Sequence, residues 1–299
     1  MISEKEVKSV LNRNKVRDTW FLDDYTFNPY LGCSFNCLFC YIRGSKYGEH
    51  MERKLKVKSN AIEILEKQVA VRAKRGDYGY VVLSSATDPY LQIERKMELT
   101  RMALKIFLKY KFPVHIITRS DLIVRDLHIL SEIDKVAILP TEYEKSVGRG
   151  VIVTFSFTSV SDAVSKIFEP GATLPTNRLL AMEKVVKNGF LTGVSMMPML
   201  PFISDTESSL HEMLKMFRNT NIDYVLPSTL SLYGSHAADS KTLVLQAVRK
   251  EYPQLIKRYE HYFEKGQGLP QFYKDAFALK MEALLSDYGT RKSIEKSIG

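Results

Sequence analysis

Short runs of apolar and β-branched residues alternate along most of the chain with longer segments whose apolar positions recur every three to four residues. The short runs predict strands over residues 27–31, 80–85, 113–118, 151–157, 191–197 and near 224–231. The longer segments predict helices over residues 60–75, 94–111 and 122–131, one ending at Asn188–Gly189 and one beginning at Ser204–Glu207. Asn60 with Glu63, and the Ser204–Glu207 segment, resemble capping boxes. Six strand–helix units predict a parallel sheet, either doubly wound or an incomplete barrel.

The same pattern predicts how the chain is divided. We expect an N-terminal helical segment over residues 1–24, the strand–helix unit over 25–235 and a helical C-terminal cap over 236–299. Residues 134–150 contain one proline and two glycines and break the alternation, so they are interpreted as an inserted loop or hairpin.

Composition narrows the functional classes. Hydrophobic residues make up 45% and charged residues 26% of the 299 positions, which is ordinary for a globular protein. No run of about 18 apolar residues exists to cross a membrane, and the charged N-terminus is unlike a signal peptide. We therefore expect a cytoplasmic protein with no membrane partner. The net charge of +9 suits an anionic partner such as nucleic acid.

All three cysteines, Cys33, Cys37 and Cys40, lie within eight residues after the first predicted strand. None remains for a disulfide elsewhere, which favours a reducing compartment and a metal or redox role. Thiolates suit both iron–sulfur clusters and zinc. A zinc site needs a fourth ligand, for which His50 is the nearby candidate. Three thiolates on a [4Fe-4S] cube leave one iron open to another molecule. The alternatives are therefore an iron–sulfur enzyme and a non-catalytic, zinc-containing protein that binds nucleic acid.

The segment CSFNCLFC has the CxxxCxφC spacing, with Phe39 as the aromatic position, and resembles the radical S-adenosylmethionine (SAM) superfamily. Five further segments are similar to one branch of that superfamily, the spore photoproduct lyase-like proteins that include predicted DNA repair photolyases. These segments are NPYLGC (28–33), TDPY with ERKMELTR (87–101), IITRSDLIVRDLHIL (116–130), FEPGATLPTNRLLAM (168–182) and MMPMLPFISD (196–205). The resemblance implies a partial (β/α)6 barrel with a helical C-terminal extension. It also implies a [4Fe-4S] cluster on Cys33, Cys37 and Cys40 and S-adenosyl-L-methionine as cofactor, cleaved reductively to methionine and a 5′-deoxyadenosyl radical.

The resemblance further implies cofactor contacts at the carboxyl ends of the strands. Arg119 stands where related lyases carry a Lys, and we expect it to pair with the SAM carboxylate. Thr87 is expected to meet the amino group, and Ser156 the ribose. The expected set is Phe39, Thr87, Asp88, Arg119, Ser156 and Met197, with Asp88 bracing its loop and the methionines at 196–199 forming an apolar wall for adenine.

The chain departs from the lyases at the hydrogen-atom donor. Those enzymes use a Cys with two Tyr, whereas the matching positions here are Ser85, Phe39 and Tyr41. Tyr41 and Ser85 are thus the predicted catalytic positions, without a thiol to donate hydrogen. Repair of the spore lesion by the same route is not expected.

The partners follow from the same resemblance. Without a flavin or nicotinamide fingerprint, the chain is expected to need an external electron donor, ferredoxin or flavodoxin. The substrate alternatives are damaged DNA, as for a pyrimidine dimer lyase, or a peptide, RNA or small molecule. For DNA, the candidate phosphate contacts around the barrel mouth are Arg43, Lys46, Arg95, Lys96 and Arg149.

Overall fold

The computed structural model describes residues 3–46, 55–84 and 86–296. The strands are β1 (Ser3–Lys5), β2 (Leu11–Arg13), β3 (Tyr25–Phe27), β4 (Tyr30–Leu31), β5 (Lys56–Lys58), β6 (Val81–Leu83), β7 (Val114–Thr118), β8 (Val151–Ser156), β9 (Leu191–Met199) and β10 (Tyr224–Thr229). The helices are α1 (Ala61–Lys74), α2 (Glu94–Met97), α3 (Leu99–Tyr110), α4 (Leu127–Val136), α5 (Tyr143–Ser146), α6 (Asp162–Phe168), α7 (Pro175–Lys187), α8 (Glu207–Asn219), α9 (Ser240–Glu251), α10 (Ile256–Phe263) and α11 (Gln271–Asp287). Two 3-10 segments span Asp121–Asp126 and Pro253–Leu255.

The larger sheet contains six parallel strands in the order β3, β6, β7, β8, β9 and β10, with β2 antiparallel to β3 at one edge. This order follows the chain in one direction, whereas a doubly wound sheet reverses at a switch point. Among the described residues β2 and β10 are not paired with each other, so the sheet curves without closing. The predicted partial (β/α)6 barrel is confirmed.

Alternate residues of the strands pack on opposite faces of the sheet. On β8, Val153 and Phe155 belong to the largest hydrophobic cluster, which the outer helices complete. Ile152 belongs instead to a smaller cluster with Tyr80 and Tyr224 on the inner face of the barrel. Burial of both faces explains why the strands are continuous apolar runs in the sequence.

A chain of buried polar groups crosses the inner face. His115 Nδ1 lies 2.7 Å from the Phe21 carbonyl, and His115 Nε2 lies 2.6 Å from Thr154 Oγ1. Thr154 Oγ1 is in turn 2.6 Å from the Tyr224 hydroxyl. A Cβ on Gly193 would lie 2.3 Å from the Tyr224 ring, so only glycine allows the ring this position. Burial lowers the pKa of His115 to about 4, which keeps the imidazole neutral.

The N-terminal segment is not the predicted helix. Residues 3–24 form two short strands and turns, with β1 parallel to β5 and β2 antiparallel to β3. The Gln68 side-chain oxygen accepts hydrogen bonds from the backbone N–H groups of Val10 and Leu11, at 3.1 and 3.0 Å. These partners are about 57 residues away along the chain, so periodicity within the segment did not indicate them.

Two helix starts differ from the prediction. Asn60 caps α1 by position only, because its side chain bonds the backbone N–H and carbonyl of Val7 at 3.0 and 3.1 Å. The N-cap of α8 is Thr206, whose hydroxyl accepts from the Ser209 N–H. The predicted helix over 94–111 is divided at Glu98, which has a positive φ of 51°. Of these differences, the one at Asn60 comes from a contact that is distant along the chain.

The two remaining expectations concern residues 134–150 and the C-terminal region. Residues 134–150 form the end of α4, a loop and the short helix α5, whose Tyr143 is buried, and not a hairpin. Helices α9 and α10 pack with Phe39 and Phe168 in a second hydrophobic cluster, whereas α11 covers the outer face beside β10. No helix within the described ranges has the length and apolar character needed to span a membrane.

Candidate active site

The three cysteines follow β4 in a loop at the carboxyl-end edge of the sheet. Positive φ angles at Gly32 (81°) and Asn36 (55°) turn the chain there. Cys33, Cys37 and Cys40 all line one cavity of about 680 Å³, and each is partly exposed. Burial raises the pKa of Cys33 to about 12 and also raises the pKa of Cys37. The thiols of Cys33 and Cys37 are therefore protonated at neutral pH unless a metal replaces the protons.

Backbone hydrogen bonds join the cysteine loop to the segment after α6. Leu38 N–H donates to the Phe168 carbonyl at 2.9 Å, and Gly171 N–H donates to the Phe35 carbonyl at 2.9 Å. A Cβ on Gly171 would lie 2.3 Å from the Ser34 carbonyl oxygen. Glycine at 171 is therefore required for the close approach of the two segments.

Arg43 joins the other side of the loop to the segment before α9. Its Nε–H donates to the Cys37 carbonyl and its Nη1–H to the Ala238 carbonyl, both at 3.2 Å, and Nη2 bonds Asn36 Oδ1. Although predicted as a phosphate contact at the rim, this guanidinium is engaged inside the protein. Its position instead braces the cysteine backbone.

Three thiols that line one cavity suit a cluster, in which each thiolate binds a different iron. The ligands of one tetrahedral zinc are roughly 3.8 Å apart, given Zn–S bonds of about 2.3 Å. Among the described residues no three His, Cys, Asp or Glu side chains are gathered closely enough to hold one metal ion. Thiolates of a [4Fe-4S] cube each bind a different iron, so they surround a larger volume. His50, the fourth ligand in the zinc alternative, lies outside the described residues.

Arg119 lies beside the cysteine loop in a buried ionic chain. Its Nε is 3.1 Å from Glu169 Oε1, and Glu169 Oε2 pairs with the fully buried Arg178. Although burial alone would raise it, the two guanidiniums lower the pKa of Glu169 to about 2. The Arg119 guanidinium lies over the Phe39 ring, 5.7 Å from its centroid, and interacts electrostatically with Cys37. The charged groups at this place are the two guanidiniums, the Glu169 carboxylate and the buried Asp88 carboxyl group near Arg119.

Arg119 also retains capacity for a ligand. Nη2 donates to the Met197 carbonyl at 2.9 Å, and Nε is used by Glu169. Nη1 makes no hydrogen bond to any described residue, and the side chain is 19% exposed. Nη1 therefore keeps its donors for a carboxylate, and a bond there would leave the pair with Glu169 intact.

Asp88 braces two loops from a buried position. Its carboxylate accepts hydrogen bonds from the N–H groups of Tyr90 and Arg119, at 2.8 and 2.7 Å, and from the Thr118 hydroxyl at 2.8 Å. Burial raises the pKa of Asp88 despite these donors. Thr87, next to it, is half-buried on the same loop. Asp88 thus links the loop after β6 to the end of β7, and Arg119 is the first residue after that strand.

The remaining predicted cofactor contacts are on β8 and β9. Ser156 ends β8 and is buried, and by alternation with Ile152 and Thr154 it lies on the inner face. Met197 packs in the inner-face cluster, and its carbonyl bonds Arg119. Met196 and Met199 pack instead in the outer core. Those two methionines are therefore not part of an adenine wall.

The predicted catalytic residues and rim cations lie in different surroundings. Tyr41 is 44% exposed next to Cys40. Ser85 lies outside the described residues.

Among the predicted rim cations, Arg149 precedes β8 at the amino-end edge, where its Nε lies 3.0 Å from Asp134 Oδ2. It is therefore on the opposite edge of the sheet from the cysteines, and the rim prediction is wrong for this residue. Lys46, Arg95 and Lys96 are exposed.

The sequence analysis assigned no role to Glu169 or Arg178. Both lie in FEPGATLPTNRLLAM, a segment that carried the family resemblance. The spacing of the two residues did not indicate that Glu169 also contacts Arg119. A signal was available in the composition of the segment, since an acid and an arginine in a predominantly apolar stretch often pair when buried.

Comparison with known proteins places the chain in a family. The family model described as the Radical SAM superfamily matches residues 27–217. The chain therefore belongs to the Radical SAM superfamily, which implies a [4Fe-4S] cluster and SAM as cofactors.

Similar proteins include Rv2578c of Mycobacterium tuberculosis, 23% identical over 270 residues, covering 88% of this chain and 74% of the relative. MJ0683 of Methanocaldococcus jannaschii is 26% identical over 202 residues, covering 65% of this chain and 67% of the relative. The structure of spore photoproduct lyase complexed with dinucleoside spore photoproduct matches with a TM-score of 0.62 and 14% identity, covering 95% of this chain and 78% of that one. The structure of a mutant of that lyase matches with a TM-score of 0.59 and 15% identity, covering 93% of this chain and 78% of the lyase chain. At these identities the structural likeness establishes the fold.

Proposed function

We propose that this protein is a cytoplasmic radical SAM enzyme that acts on a base of damaged DNA, in the manner of a pyrimidine dimer lyase. Cys33, Cys37 and Cys40 are the proposed cluster ligands. The bound cluster supplies the electron that cleaves SAM to methionine and a 5′-deoxyadenosyl radical. The observation that carries the proposal is the cavity shared by the three thiols, with the positive charge of Arg119 beside it.

The described residues support distinct tasks in this proposal. Arg119, oriented by Glu169, offers Nη1 to the SAM carboxylate. Asp88 orients the neighbouring loop, on which Thr87 is proposed to meet the amino group. Ser156 on the inner face is proposed to bond the ribose, with Met197 and Phe39 as apolar neighbours. Tyr41 and Ser85 remain the proposed catalytic residues.

A DNA substrate is supported by charge and by the type of relative. The chain carries 43 basic and 34 acidic residues, and binding to phosphates releases counterions. The fold-related lyase is described in complex with a dinucleoside lesion. A target base would have to leave the helical stack to reach a cavity at the barrel edge. Without a thiol at position 85, the final hydrogen atom must come from another donor.

The test uses the anaerobically reconstituted protein with reductant and SAM. We expect release of deoxyadenosine to rise with oligonucleotides that carry thymine dimers and not with undamaged ones. DNA binding should weaken with salt, with a slope of log K against log salt of about −0.9 per phosphate contact. Ser85→Cys should alter product partitioning while leaving uncoupled SAM cleavage intact.

The outcomes separate the substrate from the enzyme class. If neither protein shows salt-sensitive binding or lesion-dependent deoxyadenosine, DNA is not the substrate. SAM cleavage that persists in that case assigns the chemistry to a peptide, an RNA or a small molecule. Stoichiometric zinc without iron after anaerobic preparation would favour the zinc-containing, non-catalytic alternative.

A further inference from the structure

Four aromatic rings form a continuous cluster near the carboxyl end of β9. Phe202 stacks on Tyr262 with ring centroids 6.0 Å apart. Phe272 and Tyr273 meet Tyr262 edge to face, at 6.2 and 5.6 Å. We call these four residues the aromatic surface. Phe272 is 65% exposed and the other three rings are half-buried, so the cluster opens to solvent at Phe272.

One cation lies on the aromatic surface, and others occur on the two helices that carry three of its rings. The Arg258 guanidinium lies over the Phe202 ring, 4.9 Å from its centroid. Within the described part of the chain, five basic residues of α10, α11 and the loop between them form no ion pair: Lys257, Arg258, Lys265, Lys274 and Lys280. Of the acidic residues in the same region, Glu260 and Glu282 pair with basic residues elsewhere. Glu264, Asp275 and Asp287 remain, and Asp205 accepts a hydrogen bond from the Tyr273 hydroxyl at 2.6 Å. The five cations therefore exceed these four carboxylates by one.

The aromatic surface is connected to the cysteine loop. Phe202 follows the end of β9 by three residues, which places it at the carboxyl-end edge of the sheet. Phe202, Tyr262 and Tyr273 belong to the same hydrophobic cluster as Phe39 and Cys37. The aromatic surface is therefore on the same edge of the barrel as the cysteine loop, and the hydrophobic cluster between them reaches Cys37.

We propose that the aromatic surface binds unpaired bases of the nucleic acid strand, with the cations of α10 and α11 on its phosphates. Rings stack on any base, and such stacking tolerates sequence differences. Bases within an intact duplex are already stacked on one another, so only an unpaired segment can use Phe272. The excess of cations favours a polyanion over an apolar protein partner. This inference rests on the nucleic-acid substrate proposed above and adds where the flanking strand binds.

The experiment measures binding of a fluorescent single-stranded oligothymidine to the reconstituted protein across a salt series. Phe272→Ala should weaken binding roughly tenfold with an unchanged salt slope, because stacking is not electrostatic. Arg258→Gln should reduce the magnitude of the slope by about 0.7. Leu279→Ala is the matched control, because Leu279 is also exposed (69%) and lies seven residues along the same helix but has no ring.

A second readout reports whether a base stacks on the aromatic surface itself. Trp20 is the single tryptophan, so Trp20→Phe combined with Phe272→Trp leaves one indole on the aromatic surface. Its fluorescence should be quenched by the single strand and not by a blunt duplex of the same length.

Equal oligothymidine affinity of wild type and Phe272→Ala would overturn the inference. A loss of affinity in Leu279→Ala as large as that in Phe272→Ala would also overturn it, because it would indicate a general apolar contact such as a protein interface. If wild type binds no single-stranded oligothymidine, this inference fails, whereas the DNA substrate is decided separately by deoxyadenosine release with lesion-bearing oligonucleotides. SAM cleavage, measured on the same preparation, then shows separately whether the radical SAM assignment stands.

Discussion

At the scale of single residues, Arg119 is the side chain whose removal should separate SAM binding from cluster binding. Arg119→Ala removes a charge-assisted hydrogen bond to the SAM carboxylate, which is worth about 1.5–3 kcal/mol. We expect SAM affinity to fall roughly 10- to 100-fold while iron content is unchanged, and Arg119→Lys to retain part of the affinity. Equilibrium dialysis of SAM against the reconstituted proteins measures this. Arg218→Ala, at an exposed helix end, is the control. Unchanged SAM affinity in Arg119→Ala would contradict the assignment.

His115 makes the stability of the fold depend on pH. The folded protein holds the pKa of His115 at about 4, whereas an unfolded chain has a value of about 6.5. The unfolded state therefore takes up the proton first. Stability is fully present above pH 6.5 and is lost as the pH falls from 6.5 towards 4.

We predict that this residue costs the wild type about 2 kcal/mol of unfolding free energy between pH 7.5 and pH 5. His115→Gln cannot titrate and should lose that much less over the same interval, although it is less stable at pH 7.5. Urea unfolding at matched cluster content measures both proteins. An identical pH dependence in the two would show that His115 is not buried as a neutral group.

At the scale of elements, the contact between the cysteine loop and the segment after α6 controls cluster assembly. Gly171→Ala places a Cβ about 2.3 Å from the Ser34 carbonyl, so one backbone segment must move. Overpacking of this kind costs about 1–3 kcal/mol. We expect lower thermal stability and fewer irons per protein. Gly266→Ala is the matched control, because nothing lies within 4 Å of the position that its new methyl group would take. Normal iron content in Gly171→Ala would mean that the two segments are not tightly coupled.

The elements also show how far sequence reasoning reaches. Strands β7, β8 and β9, helix α1 and the end of α7 were predicted within a few residues, because their hydrophobic periodicity is complete within each segment. The N-terminal strands were missed because β2 exists only through its pairing with β3. At the site, the cysteine spacing identified the loop, whereas the pairing of Glu169 with Arg119 and Arg178 depends on distant segments meeting.

At the scale of the whole molecule, the chain is predicted to depend on an external reductant. The family resemblance predicts one cluster, and the sequence contains no cysteine outside the loop to hold another. Dithionite, or a reduced ferredoxin or flavodoxin, should support SAM cleavage, and NADPH alone should not. Deoxyadenosine formation under each condition measures this. Turnover with NADPH and no reductase would reveal a redox site elsewhere in the chain.

The most direct test of the central claim compares the wild type with Cys33→Ala, Cys37→Ala and Cys40→Ala after anaerobic reconstitution. Iron, sulfide and deoxyadenosine are measured in each preparation. We predict about four irons and four sulfides with SAM cleavage in the wild type, and loss of the brown chromophore and of all cleavage in each variant. Full SAM cleavage in any one of the three variants would contradict the account.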